Sequence, residues 1–175
     1  MEIILAENHG FCYGVKRAVE MADEAANSDG KSYTLGPIIH NPQVVGRLES
    51  KGVSPIQEVA DIDEGTMIIR SHGVGPAIYA EAEEKGLHIL DATCPHVKKA
   101  QQDAKSVIED GMTLVILGEK NHPEVKSINL WANNKGIIIE DEESAEKLQI
   151  VEKMGVVVQT TFSQFKFNSI IDILE

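Results

Sequence analysis

Short apolar runs alternate with amphipathic stretches from one end of the chain to the other. The apolar runs predict strands at Ile3–Ala6, Ser32–Leu35, Thr66–Ile69, His88–Leu90, Thr113–Leu117, Gly136–Ile139 and Val156–Val158. The stretches between them carry apolar residues at helical spacing. Val15, Ala18, Val19, Ala22 and Ala26 form one stripe, and Val97, Ala100, Ala104, Val107 and Ile108 form another. Strands that alternate with helices predict an α/β fold with mainly parallel sheets flanked by helices.

Pro42, Pro76, Pro95 and Pro123 each stand at the head of a helical pattern, where a missing N–H costs nothing. Just before these prolines come His40-Asn41, Ser71-His72-Gly73-Val74-Gly75, Thr93-Cys94 and Asn121-His122. The polar and reactive residues therefore gather at strand-to-helix turns, which lie at the carboxyl ends of parallel strands, where ligands bind. Cys94 divides the chain into halves of similar strand and helix content, so the pattern predicts two pseudo-repeated lobes, residues 1–94 and 95–175. The last amphipathic stretch, Phe165 to Leu174, reaches Glu175 without a capping glycine, and the chain reads as cut there.

A hydrophobic content of 42% over 175 residues is enough for a buried core. The net charge of −12 and the lack of a Lys/Arg cluster argue against nucleic-acid phosphates as a partner. The opening Met1-Glu2-Ile3-Ile4-Leu5-Ala6 has no basic leader, and no apolar run has the length of a membrane span, so no membrane contact and a cytoplasmic location are expected. In that compartment the two cysteines, Cys12 and Cys94, are better suited to metal binding or redox chemistry than to a disulfide. Both precede helical patterns, and free N–H groups at a helix start stabilise a thiolate.

Histidines at turns are commonly structural hydrogen-bonders, and His9, His88 and His96 are read that way. His40, His72 and His122 sit in turns with small or capping neighbours, which also suits three imidazoles gathered around a phosphate or diphosphate. Glu124, in the first turn of the helix that Pro123 opens, is either a charge on the helix dipole or a proton donor beside a reactive centre. In Gln159-Thr160-Thr161-Phe162-Ser163, Ser163 reads as a helix cap, and Thr160 faces either solvent or the same cleft. The glycine-rich turn at residues 71–76 matches neither the dinucleotide fingerprint nor the Walker sequence, so no nucleotide cofactor is expected.

Gly10-Phe11-Cys12-Tyr13-Gly14-Val15, Ile39-His40-Asn41, Ser71-His72-Gly73-Val74, Asp91-Ala92-Thr93-Cys94-Pro95, His122-Pro123-Glu124-Val125 and Gln159-Thr160-Thr161 together resemble the 4-hydroxy-3-methylbut-2-enyl diphosphate reductase family, in order along the chain. The resemblance implies an iron-sulfur oxidoreductase of the non-mevalonate isoprenoid pathway. Such an enzyme removes an allylic hydroxyl, with two electrons and two protons, to give isopentenyl and dimethylallyl diphosphates. It implies a 4Fe-4S cluster held by three cysteines, of which Cys12 and Cys94 match the first two; no cysteine follows Cys94 here.

It further implies that His40, His72 and His122 hold the diphosphate of the isoprenoid substrate. Glu124 would deliver protons, Thr160 would orient the hydroxyl end or relay a proton, and a ferredoxin or flavodoxin would supply electrons. Family members have three similar α/β lobes around the cluster, so this chain is expected to hold two of the three and to be inactive alone. The strand at Ile3–Ala6 is expected to belong to the third lobe's sheet, leaving an edge that pairs elsewhere or drives oligomerisation. Two other readings are a zinc-dependent hydrolase using Cys12, Cys94 and one histidine, and a non-catalytic phosphate-binding module.

Overall fold

The computed structural model describes residues 3–7, 9–28, 30–149 and 152–175; Met1 and Glu2, where the leader reading begins, lie outside them. In chain order the elements are α1 (Tyr13–Ala26), β1 (Ser32–Leu35), α2 (Pro42–Ser50), β2 (Val53–Ile56), a 3-10 turn (Val59–Asp61), β3 (Thr66–Ile69), α3 (Pro76–Glu84), β4 (His88–Asp91), α4 (Pro95–Glu109), β5 (Thr113–Leu117), α5 (Pro123–Trp131), β6 (Ile137–Ile139), α6 (Glu142–Glu146), β7 (Met154–Val158) and α7 (Gln164–Leu174). The strands form two parallel sheets, ordered β2-β1-β3-β4 and β6-β5-β7. Pro42, Pro76, Pro95 and Pro123 each occupy the first position of a helix, as the pattern predicts.

Each sheet is covered on both faces because alternate strand residues point to opposite sides. In β3, Ile68 packs with Ala18 and Ala22 of α1, whereas Met67 and Ile69 pack with Ala82 of α3 and Leu87. In β5, Leu114 and Ile116 meet Ala100 and Ala104 of α4, and Val115 and Leu117 meet Ala145 of α6 and Ile170 of α7. These four β5 side chains are wholly inaccessible, and burying each stabilises the fold by about 1.5–3 kcal/mol.

Two elements depart from the pattern. Ile3–Ala6 is not a strand: no neighbouring strand pairs with it among the described residues, and Ile3, Ile4 and Leu5 are 75%, 83% and 76% exposed. An apolar run needs a partner for its backbone groups before it becomes a strand. Conversely, β2 forms where the pattern predicts none, because Pro55 interrupts it; β2 is an edge strand, the one place where a missing N–H is tolerated. No helix among the described residues is long and apolar enough to cross a membrane.

Candidate functional site

Every candidate site residue apart from Cys12 lies in the loop or helix start that follows a strand. His40 follows β1, His72 follows β3, Cys94 follows β4, His122 and Glu124 follow β5, and Thr160 follows β7. Because the sheets are parallel, these turns open at the carboxyl ends of their strands.

Cys12 caps α1 and Cys94 caps α4, neither side chain making a capping hydrogen bond. Both are free thiols, Cys12 exposed and Cys94 half-buried, so the structure holds no disulfide between them. A Cβ on Gly14 would stand 2.5 Å from the Cys94 sulfur, so the glycine lets Cys94 settle against the first turn of the helix that Cys12 caps. Two thiols at helix starts, neither capping its helix through its side chain, with Cys94 set against the helix that Cys12 caps, suit a thiolate-ligated metal.

The three histidines come together from both sheets. Ring centroids are 4.6 Å apart for His40 and His72, 5.5 Å for His72 and His122, and 6.3 Å for His40 and His122. A ligating atom of each lies within 4.8 Å of the other two. Neither cysteine joins such a group among the described residues, so the Cys12–Cys94–histidine set required for a zinc hydrolase is not assembled at that distance.

Local chemistry orients the rings. Asn41 caps α2 by accepting from the Gln43 and Val44 amides at 3.1 Å, which fixes the turn carrying His40. His122 caps α5 through Nδ1, which accepts from the Glu124 amide at 3.2 Å; its neutral ring then carries the proton on Nε2, a donor for an anion. His72 Nδ1 is buried without a partner. Burial, helped by His40, Arg70 and His122, lowers its pKa from 6.5 to about 4, so the ring is neutral at pH 7.

Glu124 is 2% exposed. Its carboxylate accepts from the Thr160 amide at 2.6 Å and from the Thr160 hydroxyl at 2.9 Å. No cation pairs with it among the described residues, so two dipolar donors hold the buried acid. Thr160 itself is exposed, and its oxygen retains lone pairs for a ligand. The turn is kept in place by buried Gln159, which accepts from the Glu119 amide at 2.9 Å and donates to Thr161 Oγ1 at 2.9 Å.

Several supporting residues carry no signal in the sequence because their partners are distant along it. Ser127 Oγ lies 2.8 Å from both the His72 and Glu124 carbonyls and accepts from Gln101 Nε2 at 3.2 Å, joining the two sheets behind the imidazoles. Gly73, with φ +70°, makes room for Gln101. Asp91 accepts from the Thr93 amide, the Tyr79 hydroxyl and Lys98, fixing the turn before Cys94. Burial raises its pKa, but these donors outweigh burial and leave it below the usual value. Arg17 donates to the Thr93 carbonyl, and the Cys94 amide to the Ser71 carbonyl, which ties the cysteine turn to that of His72.

Comparison with known proteins gives a consistent answer. The family model described as LytB protein matches residues 3–175. A 4-hydroxy-3-methylbut-2-enyl diphosphate reductase of Pelobacter propionicus is 52% identical over 163 residues, covering 93% of this chain and 58% of that protein. The protein of the same name from Geotalea uraniireducens is 48% identical, covering 98% and 61%. A solved structure of the reductase described as the terminal enzyme of the non-mevalonate pathway superposes with a TM-score of 0.86 at 44% identity, over 98% of this chain and 63% of that one. The corresponding reductase from Plasmodium falciparum gives 0.90 at 31% identity, over 96% and 54%. The chain thus spans about three-fifths of the length of these curated relatives.

Proposed function

This chain belongs to the LytB protein family, and from that premise we propose that it carries the diphosphate site and two of the cluster cysteines of a 4-hydroxy-3-methylbut-2-enyl diphosphate reductase. The observation that supports this most is the convergence of His40, His72 and His122 beside a buried, Thr160-held Glu124. Imidazole N–H groups bind the diphosphate oxygens, with His122 offering Nε2 because its Nδ1 is engaged in the helix cap.

At the hydroxyl end, Thr160 orients the substrate hydroxyl while its own hydroxyl donates to the Glu124 carboxylate. Once Glu124 takes up a proton the hydrogen bond reverses, Glu124 donating to Thr160 Oγ1 and Thr160 donating to the substrate oxygen, so orientation and proton transfer share one contact. The reaction takes two electrons and two protons: the allylic C–O bond breaks, the oxygen leaves as water with one of them, and the carbon skeleton gains the other. Glu124 is the proton source for the departing oxygen.

Cys12 and Cys94 fit a 4Fe-4S cluster as thiolates at helix starts. When bound, the cluster supplies electrons and a Lewis-acidic iron. Residues 1–175 contain two cysteines, and with two thiolates the chain alone holds the cluster poorly and turns over little or not at all. Electrons come from a ferredoxin or flavodoxin, in the cytoplasm, and the two sheets are two of the family's three lobes, residues 1–94 and 95–175.

In a protein of the family's full length, Glu124→Gln is expected to cut kcat far more than it alters KM, because the amide keeps the shape and loses the proton. An unchanged kcat contradicts the role given to Glu124. Anaerobic purification yielding iron with sulfide supports the reductase; stoichiometric zinc with hydrolytic activity supports the alternative.

A further inference from the structure

A cleft of about 400 Å³ opens between the two sheets, and none of the three imidazoles lines it. Two cations do line it, Arg70 from the turn after β3 and Lys126 from α5. Among the described residues no carboxylate lies within 4.0 Å of either. In a chain with 28 acidic and 16 basic residues, a half-buried guanidinium without a counter-ion runs against the average.

Arg70 is held in place by the fold. Its Nη1 lies over Gly36, where a Cβ would come within 2.7 Å of it, and Gly36 has φ +69°. Its Nε is buried and has no hydrogen-bond partner, and burial lowers the pKa of the group, although a guanidinium stays charged throughout the neutral range. An unpaired buried donor on a cation is costly unless a ligand satisfies it. Gly75, the cap of α3, and Pro123, the first residue of α5, lie on the same wall, so two helix starts add positive potential. The rest of the wall is apolar, formed by Leu35, Val74, Ile78 and Leu130.

We propose that this cleft is a second anion site, separate from the histidine cluster, that binds a small phosphate monoester with an apolar body. The phosphate sits between Arg70 and Lys126, and the tail lies against Leu35, Val74, Ile78 and Leu130. Two cations favour a phosphate dianion over a carboxylate, and the apolar wall favours an alkyl ester over the free ion.

The test is a titration of the ¹⁵N-labelled chain with n-butyl phosphate, following the Arg70 Nε–H resonance in the parent chain and the backbone amides of Gly36, Gly73 and Gly75, which line the cleft, in the parent and every variant. A saturable shift is expected, with weaker binding of inorganic phosphate and of butyrate. Arg70→Gln is expected to weaken binding about tenfold, the loss of one charge-assisted contact. Arg70→Lys is expected to recover part of it, and Lys126→Gln, at an exposed position, to weaken it in a chain whose fold is undisturbed. His40→Ala is expected to leave the shift intact. Absence of the shift, affinity unchanged from the parent chain in both Gln variants, butyrate binding as tightly as butyl phosphate, or loss of binding in His40→Ala overturns the proposal; the last would place the ligand on the imidazoles.

Discussion

Thr160 gives Glu124 both of its donors, the amide and the hydroxyl, and so keeps a buried carboxylate satisfied without a cation. Thr160→Val keeps the amide and removes the hydroxyl, and is expected to cost about 1 kcal/mol, measured by urea denaturation. His72 makes a second, pH-dependent contribution. Its folded pKa of about 4 lies below the ordinary 6.5, so the unfolded chain binds a proton in this range that the folded chain refuses. Stability from this group is complete above about pH 6.5 and is lost as the pH falls toward about 4. His72→Gln is expected to flatten that part of the stability profile. The sequence shows His122-Pro123-Glu124 as a helix start because cap and proline are local. It leaves Thr160 open between solvent and cleft because its partner is 36 residues away.

At the scale of elements, the prolines at helix starts follow from backbone sterics, and the unbroken apolar runs of β3 and β5 follow from strands covered on both faces, so both are legible along the chain. Whether Ile3–Ala6 becomes a strand depends on a pairing partner, and whether Pro55 can sit in one depends on edge position; neither is a local property. The strut from Gln101 through Ser127 to the His72 carbonyl is of the same kind. Ser127→Ala strands these polar groups in a buried place and is expected to cost about 1–3 kcal/mol in thermal or chemical unfolding. Gly14→Ala sets a methyl against the Cys94 sulfur. The expected outcome is less iron retained after anaerobic reconstitution of a full-length family member, with the melting temperature little changed.

Across the whole molecule, two covered parallel sheets bring three imidazoles together, with the Thr160-held Glu124 two residues from one of them. Among the described residues Ile3, Ile4 and Leu5 are consecutive exposed apolar side chains, with Phe11 and Tyr13 close by in sequence. Such a cluster drives association. Sedimentation is expected to show concentration-dependent oligomers that Ile4→Ser with Leu5→Ser reduces, and a monomer at all concentrations contradicts this. The most direct measurement is a calorimetric titration of the chain with inorganic pyrophosphate, read alongside the His72 pKa by NMR. One pyrophosphate is expected to bind per chain, raising the His72 pKa from about 4, and His40→Ala, His72→Ala and His122→Ala are each expected to weaken it. Absence of binding, or the same affinity when all three imidazoles are removed, would contradict the diphosphate site.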